Sequence, residues 1–229
     1  MPQTSIDLSG KTVVVTGGLG ILGSAIGSVA AKAGAKVALV DYASAESPAF
    51  ASLVLTGIDL ADFAIADRAF AKIADELGPI DALMNIAGGF AWSKVEDSEL
   101  AFWEQLYRTN VLAAVAACKA ALPRMRAGGG IVNVAAAATA KAAAGMGAYT
   151  AAKSGVLRLT EALAEELKPR GIRVNAVSPT IIDTPRNRAD MPDADTSAWI
   201  APERLARVML FLAFDEAQPV NGANVLVGG

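Results

Sequence analysis

The chain has 229 residues, of which 53% are hydrophobic, and its formal net charge is −3. That length is sufficient for one domain with its own hydrophobic core. The sequence contains no histidine and a single cysteine, Cys118, which we expect to pack inside a helix. This composition excludes an internal disulfide, a multi-cysteine zinc site and histidine-based acid–base catalysis. We predict no metal site.

Charge and hydrophobic pattern also limit the possible partners. A pI near 5.1 predicts neither nucleic-acid binding nor attraction to an anionic membrane. The apolar stretches are well short of the ~20 residues needed to span a bilayer. Residues 1–5 lack a basic region followed by an apolar core, so we expect no signal peptide. The sequence therefore predicts a soluble, cytoplasmic protein that acts on a small molecule.

Strand and helix patterns alternate along the whole chain. Short apolar, often β-branched runs predict strands at residues 11–16, 36–40, 52–55, 80–85, 131–134, 172–177 and 224–227. Helices are predicted at residues 21–33, 61–77, 100–122, 148–168 and 202–214, with the glycine run 128–130 as part of the third helix's stop signal. Continuously apolar strands indicate a parallel sheet covered on both faces. We predict one α/β domain over residues 1–229, a doubly wound Rossmann fold of about seven strands.

Residues 183–197 break this regular pattern with prolines and several charged side chains. We predict a long polar loop here. Loops that follow strands in such folds are typical substrate-binding elements or lids. A substrate loop is therefore expected at about residues 183–200.

A glycine-rich turn follows the first predicted strand and opens the first helix. Gly17, Gly20 and Gly23 allow a tight turn, close approach of a pyrophosphate and close helix–sheet packing, respectively. The helix N-terminus would then face the phosphates. Asp41 ends the second strand and can accept hydrogen bonds from ribose hydroxyls, whereas it would repel a 2′-phosphate. We therefore expect NAD as cofactor, with NADH preferred over NADPH; a structural glycine turn with a solvated aspartate is the alternative.

Asp59 follows the third predicted strand and is placed where it can hydrogen-bond the adenine edge. A purely structural role in the turn is an equally good interpretation. Tyr149 and Lys153 lie four residues apart and share one helix face. An ammonium beside a phenol favours the phenolate, so we expect the Tyr149 pKa to fall from ~10 toward neutrality. In a chain without histidine this pair is the best general acid, although such a pair also occurs on helix surfaces.

Together these motifs resemble the short-chain dehydrogenase/reductase superfamily over nearly the whole length. The matching segments are the glycine turn, residues 85–88, Asn110, the Tyr149/Lys153 pair, residues 174–179 and residues 221–229. The resemblance implies that Tyr149 exchanges a proton with substrate, that Lys153 contacts the nicotinamide ribose, and that Asn110 holds a proton-relay water. It implies a cofactor-binding set of Gly17, Gly20, Ile21, Leu22, Gly23, Asp41, Asp59, Leu60, Asn85, Ala87, Gly88, Tyr149, Lys153, Pro179, Thr180, Ile182 and Thr184. It further implies a homodimer or homotetramer assembled through helices 100–122 and 148–168.

One departure from the family pattern bears on the substrate. Ala136 stands where most members have a serine, thirteen residues before the tyrosine, and Thr139 is out of register with that position. The dihydropteridine reductase branch also lacks this serine. Further likeness to that branch is found at residues 17–24, 87–89, 145–149 and 183–199. Phe90 stands where that branch has a tryptophan against the pterin, with Trp92 close by. The substrate residues expected on this basis are Phe90, Trp92, Ala136 and Arg188.

Three functions remain open at this stage. A serine hydroxyl that stabilises an alkoxide is worth on the order of 3 kcal/mol for a simple ketone, whereas a conjugated ring spreads the charge. The missing serine therefore favours NADH-dependent reduction of quinonoid dihydropterin or a similar conjugated acceptor. The alternatives are an ordinary alcohol/ketone (3-oxoacyl-type) dehydrogenase and a catalytically silent NAD-binding regulator. The presence of Asn110, Tyr149 and Lys153 argues against the silent regulator.

Overall fold

The computed structural model describes residues 6–228, so the expectations for residues 1–5 and for Gly229 lie outside the described residues. Its strands are β1 (Thr12–Thr16), β2 (Lys36–Val40), β3 (Leu53–Leu55), β4 (Ile80–Asn85), β5 (Met125–Val134), β6 (Arg173–Pro179) and β7 (Asn224–Val227). Its α-helices are α1 (Ile21–Lys32), α2 (Phe63–Leu77), α3 (Leu100–Tyr107), α4 (Ala113–Ala121), α5 (Gly147–Glu166), α6 (Pro185–Asp190) and α7 (Pro202–Ala213).

All seven strands pair in parallel in one sheet of order β3-β2-β1-β4-β5-β6-β7. Strands β1, β4 and β6 are fully buried, because helices cover both faces of the sheet. Side chains of α2, α4 and α5 pack on one face, and side chains of α1 and α7 pack on the other. The predicted α/β fold is therefore confirmed. The chain reverses its winding direction between β1 and β4, which opens a crevice at their carboxyl ends.

The predicted helix 100–122 is divided by a π-helical segment, Arg108–Leu112, between α3 and α4. Two side chains enter the backbone ladder at this point. Thr109 Oγ1 donates to the carbonyl of Gln105 at 2.8 Å, and Asn110 Nδ2 donates to the carbonyl of Leu106 at 2.9 Å. Such side-chain insertion is a known cause of a break in a helix. The break falls on the segment that carries Asn110.

The glycine run 128–130 was expected to help stop this long helix, and that expectation was wrong. The α-helix ends at Ala121, and a 3₁₀ turn with Pro123 follows it. The glycines lie inside β5. A Cβ on Gly130 would overlap the backbone of Ala213 in α7, so the glycine permits the helix to approach the sheet.

The segment 183–197 is not the loop that was expected, because it contains α6. Thr184 caps this helix, its Oγ1 accepting from the amide of Asn187 at 3.1 Å, and Pro185 occupies the first turn. A parallel bridge between Ile182 and Ile200 closes the base of the segment. Asn187 Nδ2 also donates to the carbonyl of Ile182 at 2.8 Å. The segment therefore holds a defined position beside the crevice.

Residues 6–228 contain neither a membrane-spanning helix nor a cluster of metal-ligating side chains. None of the helices described is both long and apolar enough to cross a lipid bilayer. In the same part of the chain, no three potential metal-ligating side chains come together.

Candidate active site

A cleft of about 1110 Å³ lies at the carboxyl ends of β1, β2 and β4, at the predicted crevice. Its lining includes these residues that the sequence had assigned to the cofactor: Gly17, Gly20, Ile21, Leu22, Gly23, Asp41, Asp59, Leu60, Ala87, Gly88 and Thr184. Sequence reasoning had not assigned these further lining residues: Leu19, Tyr42, Ala43, Ile86, Gln105, Arg108, Thr109 and Arg186. Six residues of the expected cofactor set are outside this lining: Asn85, Tyr149, Lys153, Pro179, Thr180 and Ile182.

The glycine turn lines one part of the cleft. Gly17 has φ +63, and a Cβ there would lie 3.0 Å from the amide nitrogen of Ala87. A Cβ on Gly23 would overlap the carbonyl oxygen of Gly17, so this position keeps α1 close to the turn. Gly20 caps α1 without any side-chain hydrogen bond, and the first turn holds no acidic residue. The free N–H groups and the positive end of the dipole fit a pyrophosphate.

Asp41 connects the end of β2 to the glycine turn. Its Oδ2 accepts from the amide of Leu19 at 2.9 Å, and its Oδ1 accepts from the amide of Ala43 at 2.9 Å. A carboxylate has about four lone-pair sites, so ribose hydroxyls can still donate to it. The hydrogen-bond donors and acceptors that line the cleft therefore fit the adenosine half of a nicotinamide dinucleotide.

Asp59 is more strongly engaged than the sequence suggested. Its Oδ1 accepts from the amide of Ala61 at 3.0 Å, and its Oδ2 lies 2.6 Å from Nη2 of Arg108. Arg108 opens the π-helical segment, so this ion pair joins the loop after β3 to the segment that carries Asn110. No local sequence pattern marks Arg108 as a partner of Asp59, because the two are 49 positions apart.

Asn85 supports the cleft from beneath. Its side chain is buried, and its Nδ2 donates to Asn133 Oδ1 at 3.0 Å and to the sulfur of Cys118 at 3.2 Å. Thr16 Oγ1 contacts Asn85 Oδ1 at 3.3 Å and also accepts from two backbone amides that follow β4. The Asn85 side chain therefore braces the centre of the sheet. Burial raises the pKa of the Cys118 thiol to about 12.

Tyr149 and Lys153 lie one turn apart on α5, as predicted. Lys153 is 6% exposed, and its Nζ donates to the carbonyl of Val134 at 2.9 Å. A Cβ on Gly88 would lie 2.6 Å from Asn110 Oδ1 and 3.2 Å from Lys153 Nζ. Because Gly88 lines the cleft, Lys153 and Asn110 lie directly beside one of its lining residues. A side chain at position 88 would displace both groups.

The protonation of this pair differs from the sequence expectation. Burial raises the pKa of Tyr149 to about 12, instead of the expected shift toward neutrality. Burial also lowers the pKa of Lys153 to about 8. Desolvation disfavours both charged forms, and sequence alone does not reveal how deeply the two groups are buried. Tyr149 is therefore a neutral phenol at pH 7 and can act as a proton donor.

Asn110 uses its whole amide to hold the neighbouring loop. Its Nδ2 donates to the carbonyls of Gly89 at 3.0 Å and Leu106 at 2.9 Å, and its Oδ1 accepts from the amide of Gly89 at 3.2 Å. The side chain thereby fixes the loop that follows β4 against the π-helical segment. This contact sets the distance between Gly88 and Lys153.

Two of the expected substrate residues are aromatic, and one of them packs on Tyr149. The Phe90 ring meets the Tyr149 ring edge-to-face, with centroids 5.0 Å apart. Trp92 Nε1 donates to the carbonyl of Ala144 at 2.9 Å, and a Cβ on Gly145 would overlap the indole ring. Phe90 and Trp92 are each about half exposed, so both offer apolar surface to a ligand.

The other two expected substrate residues offer little polar chemistry. Ala136 is 7% exposed and brings no hydroxyl to the site. Thr139 Oγ1 donates to the carbonyl of Ala136 at 2.8 Å, so its proton is already used. Arg188 forms a bidentate pair with Asp183, at 2.6 and 2.8 Å, which lowers the pKa of Asp183. The charge of Arg188 is thus balanced by its neighbour.

Comparison with known proteins identifies the family. The family model described as short chain dehydrogenase matches residues 11–195. The chain belongs to the short-chain dehydrogenase/reductase family. It is 35% identical to a D-threitol dehydrogenase of Mycolicibacterium smegmatis over 97% of this chain and 93% of the relative. It is 32% identical to a meso-2,3-butanediol dehydrogenase of Serratia marcescens, over 96% and 93% of the two chains.

Solved structures of short-chain dehydrogenases/reductases share the same architecture. A double mutant of a Serratia marcescens family member superimposes with a TM-score of 0.88 at 30% identity, covering 96% of this chain and 97% of the other. A blue fluorescent protein from a metagenomic library, solved with NADPH, gives 0.86 at 32% identity, with 96% and 97% coverage. These relatives support an oxidoreductase that binds NAD(P), and they do not support the narrower likeness to dihydropteridine reductase.

Proposed function

We propose that this short-chain dehydrogenase/reductase interconverts an alcohol and a ketone by NAD(H)-dependent hydride transfer. The observation that carries the proposal is that Asn110 and Lys153 meet beside Gly88, which lines the cleft, and that Lys153 lies one helical turn from Tyr149 on α5. The two curated relatives compared above are named as dehydrogenases of polyols or diols, which supports this substrate class over a conjugated acceptor.

Tyr149, Lys153 and Asn110 have separate roles in the proposed reaction. A bound nicotinamide supplies or accepts the hydride. In the reduction direction, the Tyr149 hydroxyl donates its proton to the substrate oxygen, so that hydride and proton together convert the ketone to an alcohol. Because burial raises the pKa of Tyr149 to about 12, the required protonated form is present at neutral pH. In the oxidation direction Tyr149 must act as a base, which alkaline pH favours.

Lys153 and Asn110 act around this proton transfer. Lys153 places a cationic Nζ next to the Gly88 backbone, where a ribose hydroxyl can accept a hydrogen bond from it. That positive charge also favours the phenolate left behind when Tyr149 gives up its proton. Asn110 holds the loop 88–89 in place through the amide and carbonyl of Gly89. The loop in turn keeps the cleft wall at a fixed distance from Lys153.

For the cofactor we propose NADH in preference to NADPH. The support is Asp41, whose carboxylate carries only backbone N–H partners and would repel a 2′-phosphate. Against this stands the NADPH-bound structure of a relative at 32% identity. Arg186 also adds a cation to the cleft that the sequence argument did not include.

A flat conjugated acceptor such as quinonoid dihydropterin is the second candidate. Two observations favour it. Position 136 offers no hydroxyl to a developing alkoxide, and Phe90, which packs on Tyr149, and Trp92 both expose aromatic surface. A conjugated ring would stack on aromatic surface and would not need a second hydroxyl donor.

The deciding experiment is NADH oxidation by the purified chain against a panel of acceptors. The panel contains a simple methyl ketone, a vicinal hydroxyketone, a 3-oxoacyl thioester and quinonoid dihydropterin. We expect turnover of the ketones. Turnover of the pterin alone would replace the first proposal with the second. Tight NADH binding without turnover of any acceptor would instead indicate the silent regulator.

We also propose self-association through the face formed by α3, α4 and α5. Large apolar side chains are exposed on it, namely Leu100, Tyr107, Leu112 and Val115. A recess of about 680 Å³ between α3 and α5 adds Trp103 and several alanines to this surface. Light scattering after gel filtration tests the proposal. A monomer at micromolar concentration would contradict it.

A further inference from the structure

Among the described residues that line the cofactor cleft, one cation forms only a long ion pair with a neighbour and no hydrogen bond. The charged side chains that line it are Asp41, Asp59, Arg108 and Arg186. Arg108 is held by Asp59 at 2.6 Å. Arg186 is 79% exposed, and its Nε is 3.6 Å from Oδ2 of Asp190, which is beyond hydrogen-bond distance. Within residues 6–228, its guanidinium donates no hydrogen bond to the protein.

The position of Arg186 is fixed by the start of α6. Thr184 caps the helix, and Asn187 is bound both to Thr184 and to the carbonyl of Ile182. The bridge between Ile182 and Ile200 anchors the residues that lead into it. Thr184, Pro185 and Arg186 all line the cleft, so the first turn of α6 borders the space proposed for the cofactor.

The sheet order indicates which part of a dinucleotide Arg186 meets. Neighbouring strands lie about 4.8 Å apart, so β6 is about 14 Å from β1 and about 19 Å from β2. The start of α1, which we propose to bind the phosphates, follows β1, whereas Asp41, which we propose to bind the adenosine ribose, follows β2. A side chain that reaches across from β6 therefore meets the phosphates before it meets the 2′ position.

We propose that Arg186 is a pyrophosphate-binding residue that closes over the cofactor opposite the N-terminus of α1. This inference rests on the proposed NAD(H) function. The planar guanidinium can donate two parallel hydrogen bonds to phosphate oxygens. The start of α1 supplies backbone N–H groups to the same anion from the other side, with no acidic residue in its first turn. The pyrophosphate is then bound from two sides, by the start of α1 and by Arg186 in α6.

Calorimetric titration of Arg186→Gln with NADH and with ADP-ribose tests the proposal. ADP-ribose keeps the pyrophosphate and lacks the nicotinamide. We expect roughly tenfold weaker binding of both ligands at low ionic strength, about the effect of one lost charged contact. The wild-type affinity should also fall more steeply than that of the variant between roughly 0.05 M and roughly 0.5 M NaCl. In kinetics, the KM for NADH should rise while kcat stays nearly unchanged.

Two further variants serve as controls. Arg207→Gln on α7 removes the same charge from an exposed helix position outside the cleft, and it should bind both ligands like the wild type. Arg186→Lys keeps the charge without the planar fork and should fall between the wild type and Arg186→Gln. Thermal unfolding of each variant verifies that the fold is intact.

Several outcomes would overturn the proposal. If Arg186→Gln bound ADP-ribose as tightly as the wild type does, Arg186 would not contact the phosphates, even if NADH binding weakened. A larger loss for NADPH than for NADH would assign Arg186 to the 2′-phosphate. An equal loss in Arg207→Gln would indicate a general charge effect. If the wild type bound neither NADH nor ADP-ribose, the proposed cofactor itself would be wrong, which is a different result from an unaffected variant.

Discussion

Replacement of Ala136 by serine separates the two substrate classes proposed for this chain. Ala136 is 7% exposed, lies two residues after the end of β5, and its carbonyl accepts from the hydroxyl of Thr139. A serine there adds one hydroxyl where other family members have it. If a substrate oxygen develops negative charge within its reach, such a donor is worth about 3 kcal/mol, or on the order of a hundredfold in rate.

The Ala136→Ser substitution should also lower the free energy of unfolding. A hydroxyl at a nearly buried position without a partner destabilises the fold by about 1–3 kcal/mol. For a chain of this size, 1 kcal/mol corresponds to a fall of roughly 2–4 °C in Tm. We therefore expect a measurable loss of stability without substrate and a large gain in ketone reduction. Reduction of a conjugated pterin should change little, because its charge is spread over the ring.

Steady-state kcat/KM with saturating NADH, measured for a simple ketone and for quinonoid dihydropterin, tests this expectation. Ala138→Ser is the matched control, since it adds the same hydroxyl two residues further along and half-buried. The control should affect neither substrate. Equal changes for both substrates in Ala136→Ser, or a larger gain on the pterin, would refute the link between this position and substrate class.

The remaining predictions concern the cofactor and the proton donor. Tyr149→Phe should lower kcat by roughly 10²–10⁴ while the NADH Kd, from fluorescence titration, changes little, since only proton transfer is lost; full activity would require another donor. Lys153→Met should abolish activity and yet stabilise the ligand-free protein by up to about 3 kcal/mol, because the wild type holds a buried ammonium whose pKa is lowered to about 8. The free-energy cost of burying the charged Lys153 is complete below pH 8, declines as pH rises, and disappears above the unfolded pKa of about 10.4. The difference in Tm between Lys153→Met and the wild type should therefore narrow across this window. A Tm difference that does not change with pH would contradict burial of the charge as its cause. Asp41→Ala should narrow the NADH/NADPH affinity ratio from at least about tenfold, as measured by calorimetry, with Asp41→Asn keeping an oxygen for Leu19 as the control; an unchanged ratio would remove Asp41 from cofactor choice.

The sheet and its crevice could be predicted because the information is local. Continuous apolar runs mark buried parallel strands, and the spacing of Gly17, Gly20 and Gly23 marks the turn between the first strand and helix. The helix α6 could also have been predicted. Thr184 followed by Pro185 is a helix-start signal, which the charged composition of the segment concealed.

Other features depend on contacts that sequence does not reveal. The π-helical segment arises from hydrogen bonds of Thr109 and Asn110 to carbonyls of their own helix. The presence of a threonine or an asparagine in a sequence does not predict such a break in a helix. The roles of Arg108 and Arg186 follow from what tertiary structure places opposite them. The pKa of Tyr149 was expected to fall because a nearby lysine was considered without the burial of both groups.

The reactivity of Cys118 toward thiol reagents can be used to measure local opening of this fold. It is the only cysteine in the chain, it is 2% exposed beneath the sheet, and its sulfur accepts from Asn85 at 3.2 Å. With its pKa near 12, the thiol is inert toward disulfide reagents while the core is closed. The labelling rate therefore reports how often the central sheet separates from α4. Any ligand that binds the closed state should slow this labelling in proportion to its occupancy.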